Sequence, residues 1–423
     1  KFFKNEGHQV AMIVKAKTKS DIFVIVYIPP FLLTKKKNIF IKFFIKFFIK
    51  FFFKIKNKFL SFFKKPNIIF ETQYDFISID ETKVNVSAEQ IINQIQFTPD
   101  YIFSGMTDRF MNSTDLLNLQ QLTDAKVYNI SVDMNHFTGG CHFAWDCIGY
   151  INGCDVSCPA ILSEYGKEVA KINFETKLKN ARKGNFKILT GSGWTLNQAK
   201  SSMIYRNQSH TLNINSLIDT KVLNNKNRNF AKQIFNLKED TFYILMGCQN
   251  SNSKRKGFEY LVESLKILHQ NINESQGQKI NVLIVSREIS ESFNEIPFDK
   301  QHIDYINDYR LLSLLYQAAD VFVNSSIEDS GPMMVSEALA CGTPVVGFDM
   351  GVVNNMVISG YNGYKAKLKD PEDLSQGIKE ILELSKDEYN QYSLNAVKQV
   401  EEYSSFKYAY KVFNEIFSNS SDY

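Results

Sequence analysis

From about residue 219 onward, short apolar runs alternate with amphipathic stretches, and few folds accept that alternation. Residues 243–246, 282–285, 321–324 and 345–348 are apolar runs with the length of buried strands. Between the first two, 258–268 carries apolar residues at 258, 261, 262, 265 and 268, the spacing of one helix face. Residues 311–319, 333–340 and 374–384 also read as helices. Strands alternating with helices predict a doubly wound parallel sheet. The same pattern runs more weakly upstream. Strands are expected at 8–14, 22–28, 101–104, 127–132 and 186–190, with helices around 116–122 and after Gly191-Ser192-Gly193. Two such sections predict an α/β protein with two Rossmann-like doubly wound domains facing a cleft. Their expected limits are 1–218 and 219–403, with a final amphipathic helix in 404–423 completing the first.

Charge distribution sets one segment apart. The net charge of the 423 residues is +4, yet 35–65 holds 11 lysines, 11 phenylalanines and no acid. The rest of the chain has 38 basic against 45 acidic residues. An acidic body with one confined basic patch argues against nucleic-acid binding. Lys42, Lys46, Lys50, Lys54 and Lys58 recur every four residues among Phe and Ile. On a helix these lysines form a slowly spiralling stripe along an apolar rod. Such a rod enters a core or lies on an anionic membrane surface with its lysines reaching the phosphates. No uncharged apolar run reaches the roughly 20 residues that span a bilayer. Six cysteines in 423 residues are too few for a disulfide scaffold. The expected location is cytoplasmic, peripheral on the inner face of the membrane.

The densest chemistry lies in 325–347, where a strand is followed by Ser325-Ser326-Ile327-Glu328-Asp329-Ser330-Gly331-Pro332-Met333 and a helix. Pro332 suits a first helical position. Gly331 lets a ligand approach the backbone. The free N–H groups of the helix attract an anion such as a diphosphate. Asp329 and Glu337 stand eight positions apart, so one carboxylate can grip a sugar hydroxyl and the other a ribose. Spacing alone equally fits an N-cap Asp and a solvated helix Glu.

This stretch resembles the donor-binding signature of GT-B glycosyltransferases, in particular the retaining family 4. Relatives carry Glu, seven residues, Glu-Ala and then Gly-x-Pro-Val-Val. Here Glu337-Ala338 and Gly342-Thr343-Pro344-Val345-Val346 match, while Asp329 replaces the first Glu with Glu328 beside it. Either acid can face the donor. Lys256-Gly257 resembles the family's diphosphate-binding step, with Arg255 or Lys254 in place of an upstream Arg. The resemblance implies a donor site of Lys256, Arg255, Gly257, Glu328, Ser330, Gly331, Pro332 and Met333, with Asp329 and Glu337 as catalytic carboxylates. Residues 133–142, Asp-Met-Asn-His-Phe-Thr-Gly-Gly-Cys-His, resemble a family loop whose histidine lies near the transferred sugar. Val132 takes that histidine's place, and His136 is its candidate substitute. Ser192-Gly193-Trp194 resembles the family's Ser-x-Trp turn. Relatives begin with a strand and a glycine-rich loop before a Gly-His step. Gly7-His8 opens this chain, so the resemblance implies that the first strand is missing here.

The resemblance implies a retaining hexosyltransferase. It would move a sugar from a nucleotide-sugar to a glycan or lipid-linked acceptor in envelope or exopolysaccharide synthesis, with no cofactor required for catalysis. A GT-B sugar-nucleotide epimerase and a non-catalytic nucleotide-sugar binder at the membrane are the alternatives. Cys141, Cys147, Cys154 and Cys158 lie within one loop, where four thiolates could hold a structural zinc.

Overall fold

The computed structural model describes residues 9–14, 24–26, 68–77, 80–107, 109–208, 211–214, 217–273, 279–331 and 333–418. The basic segment 35–65, Gly7-His8 and Pro332 lie outside the described residues. The chain divides into two compact units. One comprises Lys1–Tyr128, Thr138–Cys141 and Asn152–Phe186; the other comprises Asn129–Phe137, His142–Ile151 and Lys187–Tyr423.

The early strands β1 (Met12–Val14) and β2 (Val24–Val26) form a parallel pair shorter than the apolar runs around them. The strands β3 (Tyr101–Gly105), β4 (Lys126–Ser131), β5 (Lys187–Thr190) and β6 (Thr211–Asn213) make a four-stranded sheet in chain order. In the first unit the Ser113–Thr123 helix starts at a capping box. The Asn112 side chain accepts from Asp115 N–H while the Asp115 carboxylate accepts from Asn112 N–H. That helix packs on Glu168–Lys183. The latter is a mostly polar helix that apolar periodicity did not announce.

The second unit is built on a six-stranded sheet: β7 (Phe242–Gly247), β8 (Ile280–Ser286), β9 (Asp299–Asp304), β10 (Val321–Asn324), β11 (Val345–Phe348) and β12 (Gly363–Ala366). The spatial order is β12-β11-β10-β7-β8-β9 and every pairing is parallel. Alternate residues bury on opposite faces. Tyr243, Leu245, Leu283 and Phe322 enter one apolar cluster, and Ile244, Met246, Val282 and Val323 enter the other. Helices cover both faces, so the central strands are apolar throughout. The expected helices form as Phe258–Asn271, Tyr309–Ala318, Met333–Ala340 and Pro371–Leu382. Asp308 and Asp370 cap the second and fourth of these through their side chains. The final helix, Phe406–Ser418, meets β6 through the Tyr408 hydroxyl, which donates to the Asn213 carbonyl at 3.3 Å. Chain direction around the sheet reverses between β7 and β10. In an open parallel sheet the crevice beyond the carboxyl ends of such neighbours is where ligands bind.

Candidate active site

Beyond β7 the chain reaches a 3-10 turn, Lys254–Lys256, before the Phe258–Asn271 helix. Gly257 links the two with φ +60°, and a Cβ there would stand 2.0 Å from the Ser325 carbonyl oxygen. Only glycine meets both demands. That close approach ties the turn to the loop after β10. Ile327 N–H donates to the Arg255 carbonyl at 2.8 Å, and Ser325 Oγ donates to the Lys256 carbonyl at 3.0 Å. Two segments about 70 positions apart thereby become one cluster.

Asp329 stands at the centre of that cluster. Its Oδ2 accepts from Arg255 Nη1 at 2.8 Å and also from Lys256 Nζ. Its Oδ1 accepts from Gly331 N–H at 3.3 Å. Burial would push this carboxyl up, but the Lys256 and Arg255 charges outweigh burial and hold it below its ordinary value. Arg255 also lies over the Phe143 ring, 4.6 Å from its centroid. The neighbouring acid has a different setting. Burial, and then the Asp329 charge, push Glu328 up to about 7, while Lys369 and the Trp145 backbone N–H oppose the shift. Of the two adjacent acids, Asp329 is the one that meets the cations.

Glu337 is not a solvated helix residue. It is 4% exposed, and its Oε2 accepts a 2.8 Å hydrogen bond from the Tyr316 hydroxyl. Burial raises its pKa, and the Tyr316 bond works against that rise. Ser330 is held from the other side of the loop. Its carbonyl accepts from Ser192 Oγ and from Thr195 Oγ1, the latter at 3.0 Å. Gly193 N–H donates to Asn355 Oδ1 at 3.2 Å. The Ser-Gly-Trp turn therefore buttresses the 325–331 loop, a link that its sequence position did not reveal. A Cβ on Gly331 would meet only ordinary contacts, 3.5 Å from Val352 and 3.7 Å from the Gly191 carbonyl. The fold does not demand glycine there. Met333 is half-exposed, and Met334 fills the space above Gly247.

The second loop regroups its histidines. His136 lies half-buried in the 3-10 turn Asn135–Phe137. His142 Nδ1 lies 2.8 Å from Asp133 Oδ2 and its Nε2 lies 3.4 Å from Asn135 Nδ2. Burial would raise Asp133, but its hydrogen bond to His142 and the charge there prevail and lower it. Both residues bound the run that drew attention to His136. Their pairing depends on a turn that only the folded loop supplies.

All six cysteines are free. Among the described residues, no three His, Cys, Asp or Glu side chains are grouped to hold a metal ion. Cys141 and Cys158 hydrogen-bond to each other, while Cys147 Sγ accepts from Gly149 N–H at 3.4 Å. A structural zinc draws four ligands to one centre.

The cations beyond β7, the buried acid beyond β10 and the helix that follows match a known group. Residues 227–399 match the family model for group 1 glycosyl transferases. This segment is a group 1 glycosyltransferase domain. It contains Arg255, Lys256, Asp329 and Glu337. Over 286 residues the chain is 22% identical to an uncharacterized glycosyltransferase of Methanocaldococcus jannaschii, covering 65% of this chain and 72% of that protein. It is 30% identical over 129 residues to the Campylobacter jejuni N,N'-diacetylbacillosaminyl-diphospho-undecaprenol alpha-1,3-N-acetylgalactosaminyltransferase, covering 30% of this chain and 32% of that one. Anabaena HepE, solved in complex with UDP-glucose, superposes with a TM-score of 0.52 at 13% identity, covering 76% of this chain and 79% of that one. The fold is GT-B, as expected, and the enzyme class is transferase.

Proposed function

We propose that this glycosyltransferase is a retaining enzyme of family 4. It moves a sugar from a nucleoside-diphosphate sugar to a glycan or lipid-linked acceptor in envelope or exopolysaccharide synthesis. The observation that carries this reading is Asp329 held between Arg255 and Lys256 at the β7/β10 reversal. In this reading the diphosphate shares those two cations with Asp329 and takes the free N–H groups of the following helix. Asp329 accepts from sugar hydroxyls and Glu337 from the ribose. The bond from the sugar's anomeric carbon to the leaving phosphate breaks as the acceptor oxygen bonds to that carbon on the same face. The leaving phosphate oxygen takes the acceptor's proton. Arg255 and Lys256 balance the developing charge, so no side chain need act as a covalent nucleophile and no resident cofactor is required. His136 is the candidate neighbour of the transferred sugar.

The names of two relatives support the substrate classes: HepE was solved with UDP-glucose, and the Campylobacter enzyme is named for a diphospho-undecaprenol acceptor. No described helix is long and apolar enough to cross a membrane. We place the protein at the cytoplasmic face through the lysine- and phenylalanine-rich segment 35–65. The test incubates the purified chain with a panel of nucleotide-sugars and a polyprenyl-diphosphate-linked sugar. Transfer with a retained anomeric configuration, read by NMR, supports the proposal. Inversion, epimerised donor without acceptor, or binding without transfer overturns it.

A further inference from the structure

We propose that Tyr316 is a positioning residue for the donor: it fixes the Glu337 carboxylate so that Oε1 is presented to the donor's ribose. This rests on the reading of Glu337 given above. Tyr316 sits in the Tyr309–Ala318 helix with no exposed surface, and Glu337 is 4% exposed in the next helix. The phenol has little freedom. Its ring packs edge-on against Phe322, with centroids 5.7 Å apart. Its backbone carbonyl accepts from Thr343 Oγ1 at 2.6 Å. The hydroxyl donates to Glu337 Oε2 at 2.8 Å. A carboxylate with one oxygen so held cannot rotate without breaking a buried hydrogen bond, so its second oxygen keeps one direction.

Tyr316 also tunes charge. A phenol donor favours the ionised carboxylate, which is the form that accepts hydrogen bonds from two hydroxyls at once. Burial raises Glu337, and this bond limits the rise. The other titratable groups that feel Glu337 are Tyr309, on the same helix as Tyr316, and Cys341, at the end of its own helix. All three are neutral at pH 7, so the Tyr316 hydrogen bond is what steadies the anion there. This arrangement was invisible to spacing, because the two residues lie 21 positions apart on different helices.

The experiment measures donor KM and kcat across pH for wild type, Tyr316→Phe, Glu337→Gln and the double variant, with melting temperatures recorded alongside. Tyr316→Phe is expected to raise donor KM about threefold to tenfold, the net scale of one ordinary hydrogen bond, with kcat nearly unchanged. It should also move the acid limb of donor binding to higher pH. In the Glu337→Gln background the same change should have little effect. If Tyr316→Phe does not fold, 3,5-difluorotyrosine placed at 316 keeps the shape and strengthens the donor, and the acid limb should move to lower pH. A KM and limb that stay put overturn the proposal, as does an equal cost of Tyr316→Phe with and without the Glu337 carboxylate. If Glu337→Gln itself leaves donor KM unchanged, the ribose reading of Glu337 fails first, and Tyr316 loses its role with it.

Discussion

Asp329 and Glu337 stand eight residues apart, and the fold treats them in opposite ways. Asp329 is an anion against two cations, held below its ordinary pKa. Glu337 is also buried, yet its hydrogen-bond partner is a neutral phenol and its pKa is raised. One carboxylate is already compensated in the free protein. The other carries a desolvation cost that one phenol hydrogen bond offsets only in part. The difference teaches that a pair of acids in a signature need not be a pair in chemistry. The first belongs to a charge cluster, and the second to a neutral hydrogen-bonded pair.

Removing both cations should break this comparison most severely. Arg255→Ala with Lys256→Ala leaves the Asp329 charge buried without a counterion, and losing the partners of a buried charge costs about 3–5 kcal/mol. Chemical denaturation should show that loss, and calorimetry should show no donor binding. Adding Asp329→Asn should restore the stability and leave binding absent. If the restored protein binds donor as wild type does, the cations are structural only.

Glu337→Gln should act the other way. Donor affinity should fall by about 1.5–3 kcal/mol, the scale of a hydrogen bond to a charged group. Stability at neutral pH should stay level or rise, because an acid whose folded pKa is raised weakens the fold once it ionises. A large drop in melting temperature with unchanged donor binding would make Glu337 a packing residue.

Glu328 sharpens the contrast through pH. Its folded value of about 7 lies above that of an unfolded glutamate. Its contribution to stability is therefore complete below the unfolded value and is lost as pH rises through about 7. Asp329 has the opposite sign, and its contribution disappears as pH falls through its lowered value. Glu328→Gln should flatten the decline toward neutral pH by on the order of 2 kcal/mol and leave the acid-side loss intact. An unchanged neutral slope would show that Glu328 is not a source of the decline.

The smallest effect is expected at the buttress. Ser192→Ala removes one of two hydroxyls that donate to the Ser330 carbonyl, while Thr195 keeps its own bond. The cost should be roughly 0.5–1.5 kcal/mol, with donor KM raised slightly and kcat preserved. A loss as large as that of the cation variants would mean that the loop, not its charges, dominates the site.

Legibility followed burial. The central strands β7, β8, β10 and β11 are covered on both faces, so each is an unbroken apolar run that a sequence displays directly. The edge strand β9 reads Asp-Lys-Gln-His-Ile-Asp and escaped notice, because only one side of its ladder is paired and most of its side chains are exposed. The polar helix Lys386–Tyr403 escaped for the same reason, although its Ser385–Glu388 capping box was present to be read. Among the site residues, the resemblance pointed to Lys256-Gly257, Asp329 and Glu337, of which only Gly257 is demanded by backbone geometry.

Sequence by itself determined the alternation of buried strands and helices and the presence of two acids beside a helix start. These follow from period, size and backbone freedom, which act over a few residues. Tertiary structure alone decided which acid meets the cations, that Tyr316 holds Glu337, that His142 hydrogen-bonds Asp133, and that Ser192 supports Ser330 from 138 positions away. Those contacts join side chains whose separation in the chain carries no periodic signal. The meeting of Asp329 with Arg255 and Lys256 arises because neighbouring parallel strands bring their carboxyl ends to the same edge of the sheet.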